Sequence, residues 1–268
     1  LTRLDHQDRL HPSYNLKGTV SGRISCSDPN LQNIPKHVAK DDLEHYEVVK
    51  NIASFFIPEH GEEYWCYDAS QAELRMIANV SKDTNMINAY LEGKDLHKIT
   101  AATLANKSYE DYLTLPAEEQ SVFRSKAKTA NFSIVYLVSD GGYVDIVKNQ
   151  TGRTITLQEA SEHRAGVFSS YPGIPQWHES AIYAAKQSGF CRNMFGFERA
   201  LPNINSAKGY LRAEDERSAV NTPIQGNIGQ WILLIIALTH RVKRPKHRFN
   251  NTIHDSMSMS LLNKFGPV

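Results

Sequence analysis

The chain has 268 residues, of which 41% are hydrophobic and 22% charged, enough for one large domain or two intimate ones with a buried core. Its cysteines, Cys26, Cys66 and Cys191, are far apart and form no CxxC pair, which argues against a zinc site or a disulfide framework and fits a reducing cytoplasm. No apolar run reaches the roughly 20 residues that a membrane span needs, so no membrane partner is expected.

Basic residues are clustered although the formal net charge is only +1. One group consists of Arg124, Lys126 and Lys128, and a second occupies residues 241–248. Such clusters suit phosphate contacts. For the second cluster, a solvated basic loop remains an equally good interpretation.

Hydrophobic periodicity and turn residues predict a series of elements in chain order. They are an irregular segment over 13–35, a strand over 63–67, a helix opened by a capping box Ser70-x-x-Glu73, mostly helical structure over 97–212, a helix starting at Pro223 and a strand over 251–261. The helical stretch is expected to break at Gly141-Gly142, Gly152, residues 172–175 and Gly189. Strands at both ends of a helical insertion predict an α+β fold.

Two aspartates are candidates for a metal site. Alternation along the last predicted strand places Asp255 on a face with apolar neighbours, where a carboxylate is costly unless it meets a cation. A partly exposed aspartate at a hairpin turn is the alternative. Asp68 follows the first strand, and two aspartates on neighbouring strands can hold two Mg²⁺ ions for phosphoryl transfer. From spacing alone, their pairing stays a conjecture.

The predicted helix after Gln120 carries a stripe of cations and aromatics. Arg124, Lys128, Phe132 and Tyr136 recur every four residues. Two cations suit a triphosphate, and a ring can stack on a sugar or base. An ordinary amphipathic helix with an aromatic core contact is the alternative.

These segments, taken in order, resemble the family A DNA polymerases of the bacterial polymerase I type. The matching segments are Thr19–Ser25 with Asp28–Pro35 (TxxGR…DPNLQNIP), Asp68–Arg75 (motif A), Asp95–His97, Arg124–Tyr136 (motif B), Tyr171–Gly173, Phe195-Gly196, Arg199 with Leu201-Pro202, Arg217 with Asn221–Gly226, and Ile253–Asp255 (motif C). The resemblance covers nearly the whole chain in the order of the family.

The resemblance implies a right-hand polymerase fold, with an antiparallel palm sheet and a mostly helical fingers insertion. It divides the chain into a first palm part (1–75), fingers (76–211) and a second palm part (212–268) truncated after motif C. The thumb is then absent or incomplete, and a second chain or missing segment is expected to supply it. Because the sequence begins with Leu1 and stops a few residues after motif C, we expect a fragment or one piece of a divided protein.

The resemblance also implies a catalytic set. Asp68 and Asp255 hold two Mg²⁺ ions, with the backbone carbonyl of Ala69 as a further ligand and Mn²⁺ able to substitute. The primer 3′-hydroxyl attacks the α-phosphate of a dNTP. Lys128 donates a proton to the leaving group, and electrostatic positioning supplies most of the catalysis.

Nucleotide and DNA contacts follow from the same resemblance. The nucleotide-binding set is Arg124, Lys128, Phe132, Tyr136, His97, Glu73 and Gln71. Glu73 acts in it as a steric gate against the ribose 2′-hydroxyl, with helix capping as a secondary role, and Phe132 discriminates against dideoxynucleotides. The set that contacts primer–template DNA is Arg23, Asn30, Asn33, Arg217, Asn221, Gln225 and His254.

Some positions depart from the family pattern. Ser256 stands where many members have glutamate, so we expect altered metal dependence. Ser133 and Leu137 replace glycines around motif B, so closure of the fingers is expected to differ. The expected activity is template-directed DNA synthesis in replication or repair, in the cytoplasm of a bacterium or a virus-infected bacterium. The alternatives are a single-subunit RNA polymerase, disfavoured by Glu73 and Phe132, and a non-catalytic or partner-dependent DNA-binding fragment.

Overall fold

The computed structural model describes residues 4–34, 52–242, 247–253 and 255–262. The strands are β1 Ser13–Asn15, β2 Ser25–Ser27, β3 Glu62–Asp68, β4 Phe190–Arg192, β5 Glu198–Ala200, β6 His247–Ile253 and β7 Ser256–Leu262. The helices are α1 Ala72–Ser81, α2 Thr84–Leu91, α3 Leu96–Leu104, α4 Tyr109–Leu113, α5 Ala117–Val135, α6 Asp140–Thr151, α7 Leu157–Ser170, α8 Gly173–Ser188 and α9 Gly209–Arg241. Helices and antiparallel strands are thus both present, as the α+β prediction requires.

The chain divides into two compact units. The sheet unit contains the described residues up to Ala72 and those from Gln225 onward, and the helical unit contains Glu73–Ile224. The sheet unit is therefore discontinuous in sequence, whereas the helical unit is one continuous segment.

An antiparallel sheet of order β3-β7-β6 organises the sheet unit. Its central strand, β7, is buried on both faces from Ser258 to Leu261. A buried serine needs a hydrogen-bond partner, and the Tyr64 hydroxyl donates to Ser258 Oγ over 2.7 Å. The single strand predicted over 251–261 is wrong, because β6 and β7 form a hairpin. Alternation of side chains cannot be extended through its turn, where Asp255 lies.

One core cluster of the helical unit lies between α3 and α5. Ala101 and Ala102 on α3 and Ala127 on α5 are buried with Tyr112. Small side chains at this contact let the two helix backbones approach closely. Leu104, Leu115 and Phe123 cover the edges of this core.

A buried aspartate joins two helix starts in the same unit. Asp83 Oδ1 accepts the N–H of Met86 at the start of α2, and Oδ2 accepts the N–H of Gly173 at the start of α8. A Cβ at position 173 would lie 2.9 Å from the Cα of Asp83. Glycine is therefore required at position 173 by the close approach of the two segments.

Helix boundaries correct several predictions. As predicted, helices end at Gly152 and Gly189, and both glycines adopt the left-handed conformation. Gly141-Gly142 does not break a helix, because α6 begins at Asp140 and includes both glycines. Pro223 does not start a helix either but lies inside α9.

Candidate functional site

Asp68 and Asp255 meet at one end of the sheet. Asp68 is the last residue of β3, and its side chain is exposed. Its partner across the ladder is Ser256, the first residue of β7. The backbone N–H of Ala69 donates to the carbonyl oxygen of Asp255 over 3.2 Å. Strand pairing thus brings the backbones of the two predicted metal-binding aspartates side by side, although Asp255 lies in a turn.

These residues form a donor set that fits Mg²⁺. The two carboxylates are hard oxygen ligands, and the Ala69 carbonyl, which accepts the Ala72 N–H over 3.1 Å, keeps a second lone pair. Mg²⁺ in phosphoryl-transfer sites typically takes one or two carboxylates and leaves its other positions to water and phosphate. Within the described ranges, no three His, Cys, Asp or Glu side chains group to hold a metal. The set is therefore suited to an ion that shares its coordination with a substrate.

Ser256, which replaces a glutamate of the family pattern, is turned toward its own hairpin. Its hydroxyl donates to the carbonyl of Ile253 over 2.8 Å, and Thr252 Oγ1 donates to the Ser256 carbonyl over 3.1 Å. The residue therefore stabilises the β6–β7 turn and brings no third carboxylate to Asp68 and Asp255.

Predicted DNA-contacting residues of the sheet unit lie on loops tied to the sheet. Asn30 caps a 3₁₀ helix, Leu31–Asn33, by accepting the N–H of Gln32. The side chain of Gln32 then donates to the carbonyl of Thr252 on β6 over 3.1 Å. Asn30 and Asn33 are exposed, so both residues are accessible beside the sheet.

Helix α9 packs closely against the segment that carries Arg23. A Cβ at Gly229 would lie 3.1 Å from the Cα of Arg23. A cavity of about 20 Å³ lies at this contact, lined in part by Arg23, Gln32 and Thr252, and such a volume holds about one water molecule. Gln225 is half-buried on the same helix. His254 and residues 243–246 of the second basic cluster lie outside the described residues.

The cation–aromatic stripe lies on α5 in the helical unit. The helix spans Ala117–Val135 and so includes Arg124, Lys128 and Phe132, whereas Tyr136 is its C-cap residue. Lys128 is exposed, and no ion pair joins it to the described part of the chain. Its ammonium is therefore accessible to an anion.

Arg124, in contrast, is held by Asp95. Its Nε and Nη2 donate to Asp95 Oδ2 over 3.0 and 2.8 Å, while Oδ1 caps α3 through the N–H of His97. Burial raises the pKa of the Asp95 carboxyl, but the hydrogen bonds from Arg124 and His97 outweigh it and hold that pKa below its usual value. The ionised Asp95 fixes the guanidinium on the side of α5 that faces α3.

His97 lies beside the stripe and is buried. Its ring centroid is 5.9 Å from that of Phe132, and its Nδ1 lies 3.2 Å from Nδ2 of Asn131. Burial lowers the pKa of the imidazole, Asp95 opposes this, and Arg124 with Lys128 lowers the pKa further. The structure thus places His97, Lys128, Arg124 and Phe132 together.

The start of α1 carries Gln71 and Glu73. The helix begins at Ala72, directly after Gln71, whose φ is +53°. Gln71 thus directly precedes the helix, and the capping box at Ser70-x-x-Glu73 stays a prediction. Glu73 is half-buried in the first turn of α1, where a carboxylate is favoured by the helix dipole.

Arg217 and Asn221 occupy successive turns of α9. Arg217 is exposed. The Oδ1 of Asn221 is buried without a hydrogen bond to any group in the described ranges. Next to it, Thr222 Oγ1 accepts from Arg199 over 3.2 Å.

Sequence reasoning assigned no role to several polar residues around His97. They are Thr100, Asn131 and Tyr171, together with Asp95 as the partner of Arg124. An aspartate two residues before His97 is a cap signal that could have been recognised. Nothing in the sequence singles out Asn131, because its contact with His97 depends on how α3 packs on α5.

Comparison with known protein families shows to which family this chain belongs. The sequence profile described as DNA polymerase family A matches residues 1–264. The chain therefore belongs to DNA polymerase family A.

Individual relatives are bacterial. DNA polymerase I of Geobacillus stearothermophilus is 33% identical over 255 residues, which cover 93% of this chain and 26% of that protein. DNA polymerase I of Rhizobium leguminosarum is 35% identical over 224 residues, or 84% of this chain and 20% of that protein. The POL domain of Pol1 from M. smegmatis, solved in complex with DNA primer-template and dNTP, aligns with a TM-score of 0.82 and 25% identity over 98% of this chain and 43% of that one. The chain thus spans about a quarter of the curated relatives.

Proposed function

We propose that this chain is the nucleotide-adding part of a DNA polymerase, which extends a primer 3′-hydroxyl with dNTPs under the direction of a template strand. The observation that carries the proposal is the antiparallel pairing of β3 with β7. This pairing sets Asp68 and Asp255 at the same sheet end, with their backbones joined through Ala69. Family membership and the solved relative bound to primer-template and dNTP support it.

The sheet unit provides the metal-binding carboxylates. Asp68 and Asp255, with the carbonyl of Ala69, would hold two Mg²⁺ ions or Mn²⁺ in their place. When bound, these ions stabilise the charge that develops on the attacking and leaving oxygens of the phosphoryl transfer. The exposed position of Asp68 leaves room for the primer end and the α-phosphate beside it.

The helical unit provides the anion-binding groups. Lys128 would neutralise the triphosphate and give a proton to the leaving pyrophosphate. Arg124 would place its remaining N–H groups toward the same phosphates while Asp95 holds it. His97 would contact the triphosphate, and Phe132 and Tyr136 would face the base and sugar. Gln71 and Glu73 would lie at the sugar.

The remaining predicted residues would contact the primer–template duplex. They are Arg23, Asn30, Asn33, Arg217, Asn221, Gln225 and His254. Contacts to minor-groove acceptors are nearly independent of sequence, so such residues can test the geometry of a base pair. In this proposal the sheet unit is the palm and the helical unit the fingers of a right hand. A thumb would come from outside the described residues.

Primer extension tests the proposal. A labelled primer–template is incubated with dNTPs and Mg²⁺ and with the chain or its Asp68→Ala and Asp255→Ala variants. We expect extension by the parent and a loss of at least about 10³-fold in both variants, because each removes charge stabilisation of the transition state. Glu63→Ala, an exposed substitution on the same strand as Asp68, is the matched control and should keep full activity.

The outcomes separate the proposal from its alternative. Equal extension by the parent and the aspartate variants would contradict the assigned metal ligands. A folded parent that binds primer–template without extending it would favour a partner-dependent DNA-binding fragment.

A further inference from the structure

A chain of buried hydrogen bonds ends at His97 in the helical unit. The Tyr171 hydroxyl donates to the carbonyl of Leu96 over 3.0 Å and lies 3.1 Å from Thr100 Oγ1. Thr100 Oγ1 lies 3.0 Å from Oδ1 of Asn131, whose Nδ2 lies 3.2 Å from Nδ1 of His97. Thr100 is fully buried, and Asn131 and Tyr171 are 2% exposed, so no bulk water completes these contacts.

The number of available protons decides which group donates in each of these hydrogen bonds. For all four contacts to be hydrogen bonds, Tyr171 has to use its single proton on Leu96, because a carbonyl only accepts. Thr100 must then donate its own proton to the Tyr171 oxygen. It has none left for the Asn131 oxygen that faces it, and two oxygens without a proton between them repel.

Rotating the Asn131 amide by 180° removes the conflict. Its nitrogen then donates to Thr100 Oγ1, and its oxygen faces Nδ1 of His97. The two ends of a carboxamide have nearly the same shape, so the rotation leaves the packing unchanged. All four contacts become hydrogen bonds only if His97 carries its proton on Nδ1.

We propose that Tyr171, Thr100 and Asn131 are positioning residues that hold neutral His97 as the Nδ1–H tautomer, so that Nε2 is the atom that gains and loses a proton. No hydrogen bond joins Nε2 to another group in the described part of the chain. The opposite tautomer would need the Asn131 nitrogen at Nδ1, and protonating that ring would set two donors against each other. The Nδ1–H arrangement accepts the second proton without moving any side chain.

The surroundings of His97 allow both charge states. Asp95, two residues earlier at the start of α3, favours the imidazolium, while Arg124 and Lys128 on α5 oppose it. Phe132 lies beside the ring, with the two planes tilted by 41°. Arrival of an anion would tip this balance toward the cation. This consequence rests on the proposed function: a bound triphosphate would draw a proton onto Nε2.

Histidine tautomers can be read directly by NMR. The full chain is labelled with ¹⁵N-histidine, and the His97 signals are identified from the spectrum of His97→Gln. Near neutral pH we expect Nδ1 to show the shift of a protonated nitrogen and Nε2 that of an unprotonated one. A neutral ring protonated on Nε2 overturns the proposal.

Tyr171→Phe tests the hydrogen-bond relay formed by Tyr171, Thr100 and Asn131 at a distance from the His97 ring. Without the tyrosine hydroxyl, Thr100 is free to donate to Asn131, the amide can turn back, and a population of the Nε2–H tautomer should appear. Thr100→Val, which removes the acceptor for the Asn131 amide, should have the same effect and serves if Tyr171→Phe does not fold. His97 that stays entirely Nδ1–H in a folded variant contradicts the relay.

Tyr143→Phe is the matched control. Tyr143 is another buried tyrosine of this unit, and its hydroxyl lies 3.1 Å from Nδ1 of a different histidine, His163. Its loss should change the His163 signals and leave those of His97 in place. A matching change at His97 would mean that any buried tyrosine hydroxyl alters the ring, which contradicts a specific relay.

Adding a dNTP with Mg²⁺ to the primer–template complex separates this inference from the proposed function. We expect Nε2 to become protonated while Nδ1–H persists. The Nδ1–H tautomer with no response to dNTP supports the relay and counts against the nucleotide site. Response to dNTP from an Nε2–H ring supports the site and overturns the relay.

Discussion

Glu73 tests the sugar contact at the scale of one residue. Its half-buried carboxylate in the first turn of α1 would fill the space that a ribose 2′-hydroxyl needs. Glu73→Ala should therefore raise the efficiency of rCTP insertion relative to dCTP by roughly 10–200-fold, the usual range for removing a steric contact of this size. Single-nucleotide insertion kinetics measure the ratio.

A shorter acid provides the control for this substitution. Glu73→Asp keeps the charge at the start of the helix and should give a smaller change. A ratio that stays at the parental value in both variants would place the sugar elsewhere.

His178 links the stability of the helical unit to pH. It is 4% exposed, and its Nε2 donates to the carbonyl of Val135 at the end of α5. Burial lowers its pKa to about 4 despite this hydrogen bond. The unfolded chain therefore binds a proton more readily than the folded one, and the free energy of unfolding falls as the pH drops from about 6.5 toward 4.

The substitution His178→Gln isolates this effect. Glutamine keeps an N–H donor but does not titrate. Between pH 7 and 4, the free energy of unfolding should fall by up to about 3 kcal/mol less in the variant than in the parent. Urea unfolding at several pH values measures the difference, with His60→Gln, a change at an exposed residue, as reference. An unchanged pH dependence in His178→Gln would show that His178 is not the responsible group.

Single residues also show how far sequence reasoning reaches. Asp68 and Asp255 could be selected because each lies in a recognisable motif, and strand pairing is a local rule that brings them together. The partners of His97 could not, because Asn131 lies 34 positions away and meets it only through the packing of α3 on α5. The hydrophobic periodicity of α3 and α5 does not indicate that contact.

At the scale of elements, the end of α5 is strained. Leu137 and Val138 donate backbone N–H groups to the carbonyls of Ile134 and Ser133, which is the Schellman arrangement. Leu137 has φ of +56°, the left-handed region that glycine adopts without cost. Leucine thus occupies a position whose backbone conformation favours glycine.

Two substitutions separate strain from packing at this helix end. Leu137→Gly and Leu137→Ala both remove the side chain, but only glycine relieves the backbone. Leu137→Gly should be about 1 kcal/mol more stable than Leu137→Ala in urea unfolding. Equal stabilities would mean that the helix end relaxes out of the left-handed conformation.

Two misjudged elements have physical explanations. Pro223 lacks an N–H and so predicts a helix start, yet burial of Ile224 and Ile228 on the same helix offsets the roughly 3 kcal/mol that an internal proline costs. The β6–β7 turn was missed because alternating residues continue through it. Pattern alone does not show where a strand reverses.

At the scale of the molecule, the sheet unit should behave as one cooperative body. Met259 on β7 is 6% exposed, and Met→Ala in a core costs about 2–5 kcal/mol. Met259→Ala should lower hydrogen-exchange protection in β3 and β6 as well as in β7. Met257→Ala, two residues earlier and only partly buried, should have a smaller effect. A loss confined to β7 would contradict a cooperative sheet.

The central position of β7 also determines the order in which the nascent protein can fold. Strand β3 is synthesised well before its partner, because Tyr64 and Ser258 are 194 positions apart. The helical unit, being continuous, can be complete before that partner exists. Until then β3 exposes an unsatisfied edge to any neighbouring chain. Strand β3 therefore stays open to aggregation until β6 and β7 have been synthesised.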